Sequence, residues 1–310
     1  MSGFADSYPS DAARLYRVDE AIAEELDGTD PVLVIGLDGY VDAGSGVQLA
    51  VKELLDALPH ETLAEFDADR LVDYRSRRPT LTFETNSFTS YAAPALQLHR
   101  MRDATGSLFL LLSGPEPDLE WERFAVAVGQ LADRFAVRLT VSLMAIPMGV
   151  PHTRPTGMSS HATKPALVAD SPSWIGTVEV PGHAVGLLEY RFGQAGRSAM
   201  GFAAHVPHYL ARSEYPETAR TLIQATADAS GLLLPTAGLD AAAAKVQTQL
   251  AEQVAEHGEV AEIVQALERQ YDAFVSATGR TLLAQSAPLP TADELGAQFE
   301  AFLAREAGEN

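Results

Sequence analysis

The chain has 310 residues, of which 46% are hydrophobic and 21% charged; it has no cysteine and a formal net charge of −20 at pH 7. That length supports one large core, or a core with an appendage, and the lack of cysteine removes disulfides, thiol nucleophiles and Cys-ligated zinc. Such acidity repels nucleic-acid phosphates and anionic lipid, so neither nucleic acid nor membrane is expected as a partner.

The first thirty or so residues are polar and acidic, with a short helix predicted near Val18–Leu26 and no basic region leading into an apolar core; a cytoplasmic location is expected. PVLVIGL (31–37) then predicts a buried strand, a continuous apolar run closed by glycine and leading into the turn LDGYVDAGSG (37–46). Ala43–Leu58 has the spacing of an amphipathic helix, with Asp42 placed to cap it by accepting from free first-turn amides. Thr62–Phe66 and Leu81–Glu84 are short strand candidates bracketing DYRSRRP (73–79).

SLFLLLSG (107–114) predicts a second central strand, too short to span a bilayer. It runs into GPEPDLEW (114–121), where Asp118 is expected to open a helix reaching Phe135. RLTVSLMAIP (138–147) predicts a third buried strand. Alternating strands and helices at this spacing indicate an α/β fold, with a mainly parallel sheet covered on both faces. Residues 147–172 form a Pro-, Gly-, His- and Ser-rich stretch containing PHTRP (151–155). It reads as a partly ordered loop on the active face, the alternative being that it hides a short strand or helix.

Gly176–Val180 and Ser198–Val206 are further strand candidates, the second leading into VPHYL (206–210), and Pro216–Ser230 is a predicted helix. Composition shifts near Leu234-Pro235, dividing the chain into an α/β core (1–234) and a helical region (235–310). In the latter, Val246, Leu250 and Val254, then Val260, Ile263, Val264, Leu267 and Tyr271, repeat at helical spacing, predicting an antiparallel hairpin. Thr291 and Glu294 suggest a capping box for a last short helix.

Loops at strand ends are where chemistry concentrates in open α/β sheets, so the candidate pocket comprises Asp38, Asp42, Arg78, Glu116, His152 and Arg154. The turn at 36–46 fits neither a phosphate-binding P-loop nor a dinucleotide fingerprint nor a nucleophile elbow. Its two aspartates suit a neutral or cationic ligand, or simple architecture. Arg78 and Arg154, each held extended before a proline, suit either carboxylate and phosphate recognition or an internal ion-pair network. His152 is the best placed acid–base candidate and Glu116 the second. His205 and His208 match no zinc spacing; no metal and no cofactor are implied.

Together GLDGYVDAG, DYRSRRP, GPEPDLEW, VPHTRP and HVPHYL resemble the PAC2 family, named for a proteasome assembly chaperone, and most closely its actinobacterial branch with added C-terminal helices. The resemblance implies a three-layer α/β sandwich like that of purine nucleoside phosphorylases, and self-association, with a trimer favoured. It also implies a role as an interaction or assembly protein with a possible protein partner. The alternative is a small-molecule (nucleoside-like) binder or a phosphorylase or hydrolase acting at the strand ends. Archaeal relatives dock proteasomes through a C-terminal hydrophobic–Tyr–any-residue tail, whereas this sequence ends Ala307-Gly308-Glu309-Asn310.

Overall fold

The structure, a computed structural model, describes residues 9–169 and 177–278. Its centre is an eight-stranded sheet: β1 (Tyr16–Val18), β2 (Val32–Asp38), β3 (His60–Phe66), β6 (Gln97–Arg102), β7 (Leu108–Pro115), β8 (Leu139–Met148), β9 (Met158–Ala162) and β10 (Ala199–Pro207). The order is β1-β3-β6-β7-β2-β8-β10-β9. The neighbours β7-β2-β8-β10 pair in parallel, while the flanks β1-β3-β6-β7 and β10-β9 are antiparallel. A separate hairpin, β4 (Leu81–Glu84) with β5 (Ser87–Tyr91), belongs to a sheet of its own.

The apolar runs become central strands because they are buried on both faces. In β2, Leu33, Ile35 and Leu37 face one core and Val32 and Val34 the other; β7 splits the same way, with Leu110 and Leu112 opposed to Phe109 and Leu111. Helices α2 (Trp121–Arg134) and α3 (Ala184–Gln194) cover the first face. The second carries α1 (Gly46–Ala57), α4 (Pro216–Ser230) and the start of α5 (Ala237–Glu256). The result is a three-layer α/β architecture. After His257 the chain turns into α6 (Gly258–Thr278). Gln247 and Glu268, on opposite sides of His257, both reach the loop at residues 152–154, so α5 and α6 fold back on each other as a hairpin.

Several sequence expectations shift. The stretch 147–172 contains β9 and a 3-10 turn at Pro165–Val168, so the hidden-strand alternative is the one observed. No strand forms over residues 177–180; the chain there is irregular and leads into α3, which sequence reading missed along with β5 and β6. The capping-box helix at Thr291 lies outside the described residues. Among the described residues no helix is long and apolar enough to cross a membrane.

Candidate functional site

All the fingerprint strings except DYRSRRP leave the carboxyl ends of the four parallel strands, and DYRSRRP packs against them. Their charged residues nevertheless fall into two groups, which share no hydrogen bond or ion pair in the described structure.

The first group joins the turns after β2 and β7. Glu116 is buried, and both of its carboxylate oxygens are used: Oε2 accepts from the Tyr40 amide at 2.9 Å and Oε1 from the Ala184 amide at 2.6 Å. The second bond places a negative charge at the amino end of α3, where the helix dipole favours it. The Glu116 amide donates to the Asp38 carbonyl at 2.8 Å. Residue 39 has to be glycine for this arrangement, since a Cβ there would lie 2.0 Å from Glu116 Oε2.

Arg77, rather than Arg78, completes the group. Its guanidinium donates to the Asp38 carbonyl at 2.9 Å and pairs with Asp118 at 3.3 Å. Asp118 also accepts from the Asp73 amide at 2.8 Å, which takes it away from helix capping. Helix α2 therefore starts three residues later than expected, behind a left-handed Glu120 (φ 53°) that is bonded to Arg70 and Arg123. DYRSRRP and GPEPDLEW are thus two sides of one interlock. Arg78 is exposed, with no hydrogen bond or ion pair among the described residues.

Asp42 caps α1 as expected, but from a displaced position. Gly44 (φ 65°) and Ser45 (φ 50°) bend the chain so that the Asp42 carboxylate reaches back to the amides of Val47 (2.6 Å) and Gln48 (3.2 Å). Burial pushes its pKa up to about 6, the two amide bonds opposing and the charge of Asp38 adding. Asp38 itself is exposed and accepts from the Gln48 side chain at 3.4 Å.

The second group lies beyond β8 and β10. The Tyr209 hydroxyl accepts from the His152 amide at 2.9 Å and sits 2.7 Å from His152 Nδ1, joining PHTRP to VPHYL. Burial lowers the pKa of His152, against the charge of Glu268, and raises that of Tyr209 to about 12. Arg154 is committed to α6, with a bidentate pair to Asp272 (2.8 and 2.6 Å) and a further contact to Glu268 at 3.2 Å. Gln247 donates to the His152 carbonyl (3.5 Å) and to the Tyr215 hydroxyl (3.4 Å). Sequence reading missed Tyr209, Glu268 and Asp272. The available signal was the pair of carboxylates one helical turn apart on α6.

The two histidines of HVPHYL separate. His205 is buried in β10 with Nε2 2.8 Å from Ser159 Oγ, while the ring of His208 meets Tyr209 edge-on. Among the described residues no group of His, Cys, Asp or Glu could hold a metal ion.

The PAC2 family model matches residues 36–254, which contain every one of these interlocking strings. The chain belongs to the PAC2 family. A Mycobacterium tuberculosis protein of unknown function is 48% identical, with a TM-score of 0.82 over 86% of this chain and 91% of the other. A Corynebacterium glutamicum protein of unknown function is 40% identical, with a TM-score of 0.80 over 85% and 99%. A proteasome-assembly chaperone homologue of M. tuberculosis is 27% identical, with a TM-score of 0.69 over 75% and 99%. No match is found among the curated proteins. In this PAC2 chain the fingerprint residues act largely on one another. Of the six candidate site residues only Asp38 and Arg78 are exposed, and Glu116 and Arg154 have their charges committed to internal partners.

Proposed function

We propose that this PAC2 protein is an oligomeric interaction and assembly protein that self-associates through the β4–β5 hairpin. The observation that carries this reading is the hairpin itself. Leu81, Phe83, Phe88 and Tyr91 are each at least half exposed, and Phe83 and Phe88 pack edge-to-face on each other at 5.1 Å. A lone two-stranded ribbon is marginal in water, and a contiguous apolar patch of this kind marks an interaction surface. Covering such side chains contributes roughly 1.5–3 kcal/mol for each one fully buried. From Pro79 to Ala95 the only charged residue is Glu84, on a chain of net charge −20, so like chains meet here with least repulsion.

In this reading a trimer is the favoured assembly, the chain divides into a 1–234 core and a 235–310 region, and α6 clamps the core through Arg154. Asp38, Asp42, Arg78, Glu116, His152 and Arg154 serve to shape the strand-end face rather than to react. Similarity to a proteasome-assembly chaperone homologue supports a protein partner in addition to self-association. Sedimentation velocity of the wild type against a Phe83→Ser/Phe88→Ser variant tests the idea. Oligomer for the first and monomer for the second is expected; a monomeric wild type, or an unchanged oligomer in a folded variant, overturns it.

A further inference from the structure

Between α3 and the edge strand β9 lies an open cleft of about 670 Å³, within the size range of small-molecule sites, and none of the six candidate residues lines it. Its polar groups are His161, His183 and Glu189, together with Thr163, Gln194 and the Tyr190 hydroxyl, which are hydrogen-bonded within the protein; its apolar wall includes Met144, Val180 and the Tyr190 ring. No lysine or arginine is among its lining residues.

The two histidines are held in opposite hydrogen-bonding senses. His161 Nδ1 lies 2.8 Å from Glu189 Oε1, so its proton sits on Nδ1 and, in the neutral ring, Nε2 is an acceptor. His183 Nδ1 accepts from the Gly186 amide at 3.1 Å, which leaves the proton on Nε2 as a donor. Burial lowers the pKa of His183, against the charges of Glu116 and Glu189. Each ring is also seated on a glycine. A Cβ at Gly201 would come within 2.3 Å of His161 Cε1, and one at Gly186 within 2.9 Å of His183 Cε1 and Nε2.

One oriented acceptor and one oriented donor, beside an apolar wall, match a neutral group that carries both an N–H and a C=O. The geometry points to a binding site for a carboxamide or lactam edge on an apolar body. The ligand N–H donates to His161 Nε2, its carbonyl accepts from His183 Nε2, and its body lies against Met144, Val180 and Tyr190. An anion meets the Glu189 carboxylate with no lysine or arginine in the lining to receive it. An ammonium gives His183 nothing to donate to. The inference is independent of the self-association reading.

The test is an NMR titration of the full chain with benzamide, N,N-dimethylbenzamide, benzoate and benzylamine. Benzamide is expected to bind with a Kd of roughly millimolar order, as suits a ligand of its size. Removing its N–H groups by dimethylation, or replacing His161→Phe in the protein, is expected to weaken binding about ten-fold or more, the loss of one hydrogen bond with its partner left unpaired. Equal binding of the dimethyl amide overturns the proposal, as does benzoate or benzylamine binding as tightly as benzamide, undiminished binding by a folded His161→Phe variant, or no binding of benzamide. Should His161→Phe fail to fold, the two amides compared on the wild type decide alone.

Discussion

The two groups of fingerprint residues are built on different principles. Around Glu116 the carboxylate bonds to backbone amides of two distant turns, inside the core and among elements that fold together. Around Arg154 guanidinium and carboxylates meet at the surface, across the junction between the α/β core and α6. The first is a strut whose loss leaves the buried Ala184 amide and the part-buried Tyr40 amide without their acceptor. The second is a clasp whose loss frees a helix and leaves the core intact. The same vocabulary of arginines, carboxylates and prolines thus serves global stability in one place and the docking of a single element in another.

The sharpest way to break this contrast is Glu116→Ala. It strands the Tyr40 and Ala184 amides and is expected to cost about 2–5 kcal/mol in urea unfolding. A loss below about 1 kcal/mol removes the strut from the account.

Next in size is a difference in pH response. The folded-state pKa of Asp42 is raised to about 6, above its unfolded value near 3.8. Its folded form therefore binds the proton more tightly, and its contribution grows as pH falls from about 6 towards 4. His152, lowered in the fold, has the opposite sign: its contribution is full above the ordinary histidine value and declines as pH falls below it. Asp42→Asn is expected to remove about 1–3 kcal/mol of acid-side gain between pH 6 and 4, measured as the difference between the two stability profiles. Parallel profiles count against the raised carboxyl.

The smallest expected effect, and the most local, is that of Arg154→Met. Amide exchange should accelerate within 258–278 while β2, β7 and β8 keep their protection. Added salt should do the same to the wild type in milder form. Loss of protection throughout the sheet means the clasp is a strut after all.

Most of the fold could be read from the sequence wherever burial alone dictates the residues. The strands β2, β7, β8 and β10 and the helices α1, α2, α4, α5 and α6 declare themselves through apolar runs or helical spacing. β6 stayed hidden because QLHRMR carries Arg100 into the sheet, where pairing with Glu25 and Glu61 makes its burial tolerable. In α3, Gly186 and Gly193 weaken the helical signal, and one of them is there to seat His183. The candidate site was legible as a set of strings and illegible as contacts. Asp118 reads as a cap until Asp73 and Arg77, far away in sequence, claim it. Arg77 and Arg78 look equivalent until the fold turns one inward. Nothing local could have paired Arg154 with Asp272, since that bond depends on α6 returning across the core.

The bare hairpin on an acidic body has a consequence for how this chain behaves in a crowd. On the proposed reading it is a charged colloid with an adhesive patch: copies repel at a distance and bind through the hairpin on close contact. Screening shortens the reach of the repulsion and leaves the apolar contact untouched, so moderate salt should tighten the self-association while it loosens the clasp on α6.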